Sequence, residues 1–274
     1  MIKNNKKFEI EYVSSSGVYK TPFTLVVFFE FFISFTIILL INLWYINSLY
    51  YSVTGERFID SWSGGDWWYW LLLPLNIYGN IFLFFIINLM ISKIIYSILN
   101  VIHPPKEGLF DNGSKDWKFM HRRFWTVYFP IWLARALPLP WSDIFVYRVF
   151  GIKVGKNVVL YEGYIDPEFI EIGNDTMTSL HVCIFSHLIY HDRVFIKKVK
   201  IGKKCIISAH SIILPGTVIK DEAILGANSY TNINQILESN LIHTGLPAIR
   251  SFNPKSIEEL KSKVKDNKIG KNQY

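Results

Sequence analysis

Aliphatic residues recur at every sixth position in the second half of the chain. Residues 201–236 divide into the hexads IGKKCI, ISAHSI, ILPGTV, IKDEAI, LGANSY and TNINQI. In the first five hexads the first residue is Ile or Leu and the fifth is Cys, Ser, Thr, Ala or Ser. This period is neither the 3.6 residues of an α-helix nor the alternation of a β-strand. It predicts a parallel β-helix with three hexads in each turn, in which the aliphatic residue fills the axis and the small residue fits the bend.

The same rhythm begins earlier and is interrupted once. Earlier hexads start at Val154, Leu160, Ile172, Thr178 and Ile184. The eleven residues YHDRVFIKKVK then separate Ile189 from Ile201. We therefore predict that a loop leaves the solenoid here, with His187 at its root. Gly202, Gly216 and Gly226 are expected to relieve crowding or to adopt positive φ beside the bends.

Two long apolar stretches precede the repeat. Residues 24–50 are almost wholly apolar, and Pro74 divides the second stretch, 67–102, so that 75–95 is its predicted crossing. Both crossings reach the roughly 20 residues that span a bilayer core, and the first is too long for a signal peptide. We predict a transmembrane α-hairpin over residues 1–102, with the segment from Trp67 to Leu73 at the interface.

Polar residues within the apolar stretches bear on topology and function. Glu30 would lie near the headgroups or pair with another subunit, and it is otherwise a functional candidate. Asn76, Asn80 and Asn88 recur on one side of the second span and could bond across helices. Lys and Arg flank the outer ends of both spans, whereas the loop 52–66 has only Arg57. This bias predicts that both termini and the β-helix are cytoplasmic.

The remaining regions are predicted from shorter patterns. In residues 103–150, basic and aromatic residues alternate, and Pro130, Pro138 and Pro140 are expected to divide the stretch into short interfacial helices. Residues 151–250 hold the repeat. Residues 251–274 are predicted to form a short α-helix and a tail, because Ser256 and Glu259 make a capping box.

Composition narrows the class of partner. Hydrophobic residues make up 50% of the 274 and aromatic residues 16%, with a net charge of +7. The basic residues lie at the two ends and near the apolar stretches, which favours anionic lipid over nucleic acid as a partner. Cys183 and Cys205 are the only cysteines, so neither a disulfide framework nor a zinc site is expected, and a reducing compartment is indicated.

Histidines supply the candidate chemistry. His181, His187 and His210 all take the fourth hexad position, where side chains can face outward. His210 is expected about one coil beyond His181, a structural arrangement. His187 differs because the excursion beside it could wall a pocket, where a neutral imidazole would act as a general base. A backbone carbonyl or a carboxylate would set its tautomer, and the sequence does not choose among Glu162, Asp166, Glu168, Glu171 and Asp192.

The end of the repeat resembles a known family. The run VKIGKKCIISAHSIILPGTVIKDEAILGANSYTN, followed by HTGLPAIR, is similar to hexapeptide-repeat acyltransferases, whose fold is a left-handed parallel β-helix. The resemblance implies that His187, in FSHLIYHDRVF, is the general base, and that Gly245, Pro247 and Ala248 lie near the acyl thioester. It also implies a homotrimer with sites between protomers, acyl-CoA as the usual donor, and no metal.

A narrower resemblance covers roughly residues 20–250. HPPKEGLF, DWKFMHRRFW, PLPWSDIFVYRVFGIKVG and IDPEFIEIG resemble the membrane-embedded C-terminal domains of ε-poly-lysine synthetase-like proteins. Such domains join an amino-acid thioester to a free amine. Those proteins carry several such units after adenylation and carrier domains, whereas this sequence has one unit and no carrier domain, which leaves the donor open.

These observations predict a membrane-anchored acyltransferase that moves an acyl or aminoacyl group from a thioester to a hydroxyl or amine acceptor, lipid-linked or near the membrane. The predicted donor contacts are Ala209, Gly226, Ala227, Gly245, Pro247 and Arg250. The predicted substrate contacts are Asp166, His191, Asp192 and Arg193. Two alternatives stay open: a non-enzymatic trimeric membrane scaffold, and a zinc hydratase of the carbonic anhydrase type built on His181, His187 and His210.

Overall fold

The computed structural model describes residues 23–55, 57, 73–137 and 139–254. These form two compact units. The helical unit comprises 23–104 and 122–154, and the solenoid unit comprises 105–121 and 155–254, as far as each is described. Both termini, Trp67 and the predicted capping box of Ser256 and Glu259 lie outside the described residues.

The described residues form five α-helices, one π-helical turn and sixteen short β-strands. The helices are α1 Phe23–Trp44, a π-helical turn Tyr45–Tyr50, α2 Tyr51–Thr54, α3 Leu73–Ile102, α4 Lys115–Ala136 and α5 Ser142–Phe150. The strands are β1 Gly108–Asp111, β2 Lys153–Val154, β3 Tyr164–Ile165, β4 Ile170–Ile172, β5 Met177–Thr178, β6 Cys183–Ile184, β7 His187–Tyr190, β8 Arg193–Ile196, β9 Val199–Ile201, β10 Ile206–Ile207, β11 Ile212–Ile213, β12 Val218–Ile219, β13 Ile224–Leu225, β14 Ile236–Leu237, β15 Ile242–Thr244 and β16 Arg250–Phe252.

Two helices of the helical unit, Thr24–Ser48 and Leu73–Ile102, are long and apolar enough to cross a membrane. Polar side chains link α1 to α3. The Ser92 hydroxyl donates to Glu30 Oε1, and Asn42 Nδ2 donates to Asn80 Oδ1 at 2.9 Å. The helices therefore pack antiparallel. Glu30 is buried and accepts its hydrogen bond from a serine of its own chain rather than from another subunit.

The asparagine prediction holds for two of three residues. Asn80 accepts from Asn42, and Asn76 Nδ2 lies 3.4 Å from Asn42 Oδ1, so both bond across helices. Asn88 instead donates to the Phe84 carbonyl of its own helix at 2.7 Å.

The prediction that Pro130 divides its stretch is wrong. The helix α4 runs through Pro130, which stands inside it. Proline lacks the N–H that would bond four residues back. The helix continues because Val127 and Ala134, on either side, are fully buried and hold the backbone by packing. Pro138 lies outside the described residues.

The solenoid unit contains three stacks of parallel strands. The first stack is β5, β10, β13 and β15; the second is β3, β6 and β11; the third is β4, β9, β12 and β14. Paired residues are eighteen positions apart, as in Ile206 with Ile224 and Val218 with Ile236. Across the interruption the separation becomes twenty-nine, as in Ile170 with Val199. Three hexads therefore make one coil, and the interruption adds eleven residues to one coil.

Hexad positions have distinct environments. The aliphatic residues Ile207, Ile213 and Leu225 are 0% exposed, and so are the small residues Cys205 and Ala223. Fourth positions adopt positive φ in a left-handed bend, as at Asn157, Asp175, His181, Lys204, His210, Gly216, Glu222, Asn228, Asn234 and Asn240. Gly202 serves another purpose: a Cβ there would lie 2.7 Å from the backbone nitrogen of Asp221, so glycine permits close packing of coils.

The interruption is a β-hairpin rather than a loop. Strands β7 and β8 pair antiparallel, and β1 adds a third strand against β8. Gly108, Ile196 and His187 share one row of this sheet. Strand β1 comes from the stretch predicted to be an interfacial linker, which corrects that assignment for Gly108–Asp111. Residues 251–252 belong to β16, antiparallel to β15, rather than to the predicted terminal helix.

Candidate active site

His187 occupies a fourth hexad position without the left-handed bend found at positions such as His181 and His210, because the chain extends here into β7. Its side chain is 20% exposed, and its Nδ1 lies 2.7 Å from Asp166 Oδ2. A carboxylate oxygen only accepts hydrogen bonds, so Nδ1 carries the hydrogen and Nε2 carries the lone pair. The ring therefore has the tautomer that a general base requires.

Asp166 is held rigidly beneath the ring. Its side chain is 1% exposed. Oδ2 also accepts from the backbone nitrogens of Ser186 and His187, at 2.6 and 3.1 Å, and Oδ1 accepts from the Tyr164 hydroxyl at 2.8 Å. These donors compensate the burial of a charged group. Of the five candidate carboxylates, Asp166 is thus the one that bonds to His187, and its side chain is buried.

The pKa of His187 reflects two opposing influences. Burial lowers the pKa because it disfavours the charged ring. The hydrogen bond and the charge of Asp166, with the charge of Glu168, raise it and prevail, so the pKa lies above its ordinary value. An imidazole in this environment accepts a proton readily and is stabilised as imidazolium.

The other predicted substrate contacts lie at the hairpin tip. His191 has a φ of 51°, and the Asp192 carbonyl accepts from the Asn112 backbone nitrogen at 2.6 Å. Arg193 Nε lies 2.9 Å from Asp111 Oδ1. Along an extended strand, three residues separate this tip from His187 by about 10 Å. The structure therefore does not bring these three residues to the His187 ring within one chain.

The predicted donor residues gather at a different corner. Ala209, Ala227 and Gly245 follow one another at eighteen-residue intervals, which is one coil. Backbone bonds link the coils here, since Asn228 donates to the Ala209 carbonyl at 3.0 Å. The corner between the first and second stacks thus carries a column of small residues, whereas His187 lies at the corner between the second and third stacks.

The remaining donor residues adjoin this column. Gly226 precedes Ala227, and a Cβ on Gly226 would lie 2.5 Å from Thr244 Cγ2, so the coils approach closely there. Pro247 follows Gly245 in the closing turn, where Ala248 donates to the Tyr230 carbonyl at 2.7 Å. Arg250 is exposed at the start of β16.

Sequence reasoning missed the residues that hold the His187–Asp166 pair. Ser186 adds its hydroxyl, 3.1 Å from Asp166 Oδ2, to the backbone donors. Tyr164 precedes Asp166 by two positions, so both side chains project from the same side of a strand. That spacing is a signal the sequence contains, but it gains meaning only once Asp166 is known to be the partner of His187.

The histidines of the zinc alternative do not converge. The rings of His181 and His210 have centroids 5.1 Å apart, as the hexad count predicts. His187 is bonded to Asp166 instead. Among the described residues, no group of three or more His, Cys, Asp or Glu side chains could hold a metal ion.

Comparison with known proteins identifies relatives that match part of the chain. No protein-family model matches the chain. The putative acetyltransferase YvoF of Bacillus subtilis (strain 168) is 30% identical over 146 residues, which cover 49% of this chain and 78% of YvoF. The putative colanic acid biosynthesis acetyltransferase WcaF of Escherichia coli (strain K12) is 25% identical over 43% of this chain and 82% of WcaF. The δ-poly-L-ornithine synthetase of Acinetobacter baumannii (strain AB307-0294) is 26% identical over 47% of this chain, but the match covers only 9% of that protein.

Solved structures show weaker likeness. A maltose O-acetyltransferase from Clostridium difficile 630 has a TM-score of 0.42 and 18% identity, covering 50% of this chain and 88% of its own. A galactoside acetyltransferase in complex with coenzyme A has a TM-score of 0.39 and 18% identity, covering 54% and 88%. Both likenesses are too weak to assign a function. The match to YvoF is stronger, because it combines 30% identity with 78% of that protein's length. This chain therefore belongs to the hexapeptide-repeat acyltransferases and is an enzyme of that type.

Proposed function

We propose that this enzyme is anchored in a membrane and moves an acyl or aminoacyl group from a thioester donor to a hydroxyl or amine acceptor, with His187 as general base. The bond between His187 Nδ1 and the buried Asp166 carboxylate carries this proposal. It presets the reactive tautomer and stabilises the charge that the ring acquires. A lipid-linked or membrane-near acceptor fits an enzyme anchored by two apolar helices.

The chemistry follows from these two residues. His187 Nε2 takes a proton from the acceptor while its oxygen or nitrogen attacks the thioester carbonyl carbon. Backbone N–H groups near the hairpin would stabilise the resulting oxyanion. When the carbon–sulfur bond breaks, the thiolate leaves and takes the proton from the His187 imidazolium. Asp166 remains ionised throughout and stabilises that imidazolium.

The donor we propose is acyl-CoA, lying along the column of Ala209, Ala227 and Gly245. Small side chains leave the backbone accessible to the extended chain of CoA that carries the thioester. Gly226, Pro247 and Arg250 adjoin this column, and the arginine could meet a phosphate group. This assignment rests on family membership and on the position of the column, and it requires no metal.

A homotrimer of closed, left-handed prisms would complete the site. Outward residues of the first two stacks are largely apolar, with Ile206 40% and Ile212 39% exposed. The third stack is mixed, because Glu171 and Lys200 carry charge whereas Val218 and Ile236 in the next two coils are apolar. Packing the first two faces against neighbours buries them and leaves the charged residues of the third face in water. His187 and the donor column occupy different corners of one chain, so a neighbouring column would face His187. The tip residues His191, Asp192 and Arg193 could then contact substrate held by the neighbour.

Anchoring by α1 and α3, with both termini and the solenoid cytoplasmic, follows from the apolar length of the helices and from the distribution of Lys and Arg. Washing membranes with alkaline carbonate tests it. We expect the protein to remain in the membrane pellet, and release into the supernatant would contradict an integral anchor.

The mechanism is tested by the His187→Ala variant of the full chain in detergent micelles. Release of free CoA from acetyl-CoA is measured with a panel of small amines and alcohols. We expect a loss of at least about 100-fold, the range typical of a removed general base. His210→Ala is the matched control, since it removes an exposed histidine elsewhere on the solenoid. Equal activity of the His187→Ala variant and the unmodified protein would exclude His187 as the base.

A further inference from the structure

Four buried polar side chains lie on the facing sides of α1 and α3 in the helical unit. They are Glu30 and Ser34 on α1 and Asn88 and Ser92 on α3, and we call them the polar cluster. Glu30 is 1% exposed and the other three are 0% exposed. Both helices are otherwise apolar enough to cross a membrane, and an ionisable residue in such a helix usually serves a function.

The register of the two helices places Ser34 level with Asn88. The Ser92 hydroxyl donates to Glu30 Oε1. The 2.9 Å asparagine bond between the same helices lies twelve residues after Glu30 and twelve before Ser92, so one antiparallel register fits both contacts. Residues four apart share a helix face and lie about 6 Å apart along the axis. Ser34 follows Glu30 by four and Asn88 precedes Ser92 by four, so both stand one turn from the Glu30–Ser92 bond.

Three oxygens of the polar cluster have no hydrogen-bond partner among the described residues. They are Glu30 Oε2, Ser34 Oγ and Asn88 Oδ1. The two other donors of the cluster are already engaged, since the Ser92 hydroxyl bonds to Glu30 Oε1 and Asn88 Nδ2 donates to the Phe84 carbonyl at 2.7 Å. Leaving such oxygens unpaired away from water is costly.

The polar cluster cannot satisfy its own oxygens. Carboxylate and amide oxygens only accept hydrogen bonds, and the Ser34 hydroxyl has a single hydrogen to donate. If that hydroxyl turned toward Glu30, Asn88 Oδ1 would remain unpaired, and the charge of the carboxylate would remain uncompensated. The cluster therefore requires a partner that carries positive charge.

Aromatic rings surround this part of the helix contact. The Phe84 ring lies between those of Phe31 and Phe35, at centroid distances of 5.5 and 5.3 Å. Phe129 of α4 packs edge-on against Phe31 at 5.4 Å. Such packing limits access to water and favours a small partner over a bulky organic cation.

We propose that Glu30 Oε2, Ser34 Oγ and Asn88 Oδ1 bind a sodium ion between α1 and α3. Hard cations take oxygen ligands, and one carboxylate balances one positive charge, whereas a divalent ion would leave a buried charge unpaired. Na⁺ is close in size to Ca²⁺, whose bonds to oxygen measure about 2.3–2.6 Å, so one ion reaches oxygens on both helices. K⁺ is larger and is held by rings of many oxygens.

The ion links the two helices. It neutralises Glu30 and draws oxygens of α1 and α3 to one centre, so the folded hairpin binds Na⁺ and the separated helices do not. Ligands that bind only the folded state raise the melting temperature. This inference does not depend on acyl transfer, because it concerns residues to which the proposed mechanism assigns no role.

The test uses the full-length protein in detergent micelles. Its melting temperature is measured in saturating NaCl, KCl or choline chloride at equal ionic strength, and bound Na⁺ is counted with a radioactive isotope. We expect NaCl to raise the melting temperature by at least about 3 °C over choline chloride, KCl to raise it less, and one Na⁺ to bind per chain.

Variants assign the ion to the polar cluster. Glu30→Gln keeps the size of the side chain but removes its charge, and we expect it to lose Na⁺ binding and the difference between the salts. Ser34→Ala and Asn88→Leu should each weaken Na⁺ binding at least about tenfold, because each removes one oxygen ligand. Thr36→Val is the matched control. It removes a hydroxyl of α1 that already bonds to the Phe32 carbonyl at 2.7 Å, and it should bind Na⁺ as the unmodified protein does. Circular dichroism checks that each variant is folded.

Two outcomes would overturn the site. Equal melting temperatures in the three salts, with no bound Na⁺, would show that a proton rather than a metal ion satisfies Glu30. Unchanged Na⁺ binding in folded Glu30→Gln and Asn88→Leu would place the ion elsewhere. Neither measurement reads acyl transfer, so an inactive His187→Ala variant beside a failed sodium test leaves the proposed function standing, and the reverse result leaves the sodium site standing.

Discussion

At the scale of residues, the site depends on a departure from the repeat at His187. The fourth hexad positions His181 and His210 bend through positive φ, whereas His187 extends into a strand. The same residue type at the same hexad position therefore has different surroundings. Asp166 then fixes the tautomer of His187 at a distance of 2.7 Å.

The Asp166→Asn variant tests this dependence. His187 must be neutral to act as a base, so activity should rise with pH through its pKa. Asp166 helps raise that pKa, so removing its charge should move the acidic limb of kcat/KM to lower pH. We also expect kcat to fall about 100-fold or more, because an amide can hold the wrong tautomer. The pH dependence of CoA release measures both effects.

Tyr164→Phe provides the control for this variant. It removes one hydrogen bond to Asp166 Oδ1 but keeps the carboxylate charge and its bond to His187. We expect a small change in kcat and an acidic limb close to that of the unmodified protein. An unmoved acidic limb in Asp166→Asn would contradict the role of the carboxylate.

At the scale of elements, period and packing decide what forms. The hexad repeat predicts coils of eighteen residues, and the strand register confirms them. Pro130 suggested a break that α4 does not show, because tertiary packing outweighs a missing backbone bond. Strand β1 was missed because four residues acquire strand geometry only through pairing with the hairpin.

Close packing of coils is tested at Gly173. A Cβ at this position would lie 2.5 Å from the Gly202 carbonyl oxygen and 2.7 Å from the Lys203 backbone nitrogen, neither of which can move alone. We expect Gly173→Ala to lower the free energy of unfolding by about 1–3 kcal/mol, measured by thermal unfolding. Ser208→Ala, at the same hexad position, already has a Cβ and should leave stability nearly unchanged. Equal stability of the two variants would refute the crowding.

At the scale of the whole molecule, the three stacks differ in their outward residues. Apolar side chains such as Ile206 and Ile212 cover two stacks, whereas the third includes Lys200 as well as the apolar Ile236. Two largely apolar outer faces favour association with other copies, which would bury them. His187 and the donor column lie at different corners of one chain, which also favours a site shared between copies.

The trimer is tested by placing a charge on an apolar face. We expect Ile212→Asp to yield monomers and to lose acyl transfer, because a buried unpaired carboxylate is costly. Lys200→Ser, on the third stack, should remain trimeric and active. Light scattering of detergent-purified protein measures the oligomer, with CoA release measured on the same fractions. A trimeric, active Ile212→Asp variant would exclude this interface.

The sequence by itself determined the solenoid and the apolar helices. Both depend on local sequence. The hexad pattern shows which residues of each coil are buried, and the length of an apolar stretch shows whether its helix can span a membrane. Only the tertiary structure decided which of five carboxylates meets His187, because that choice depends on the alignment of Asp166 in the preceding coil. It also decided that β1 pairs with strand β8 of the hairpin. Such contacts join residues far apart in sequence, so they depend on how the coils stack and how long the insertion is.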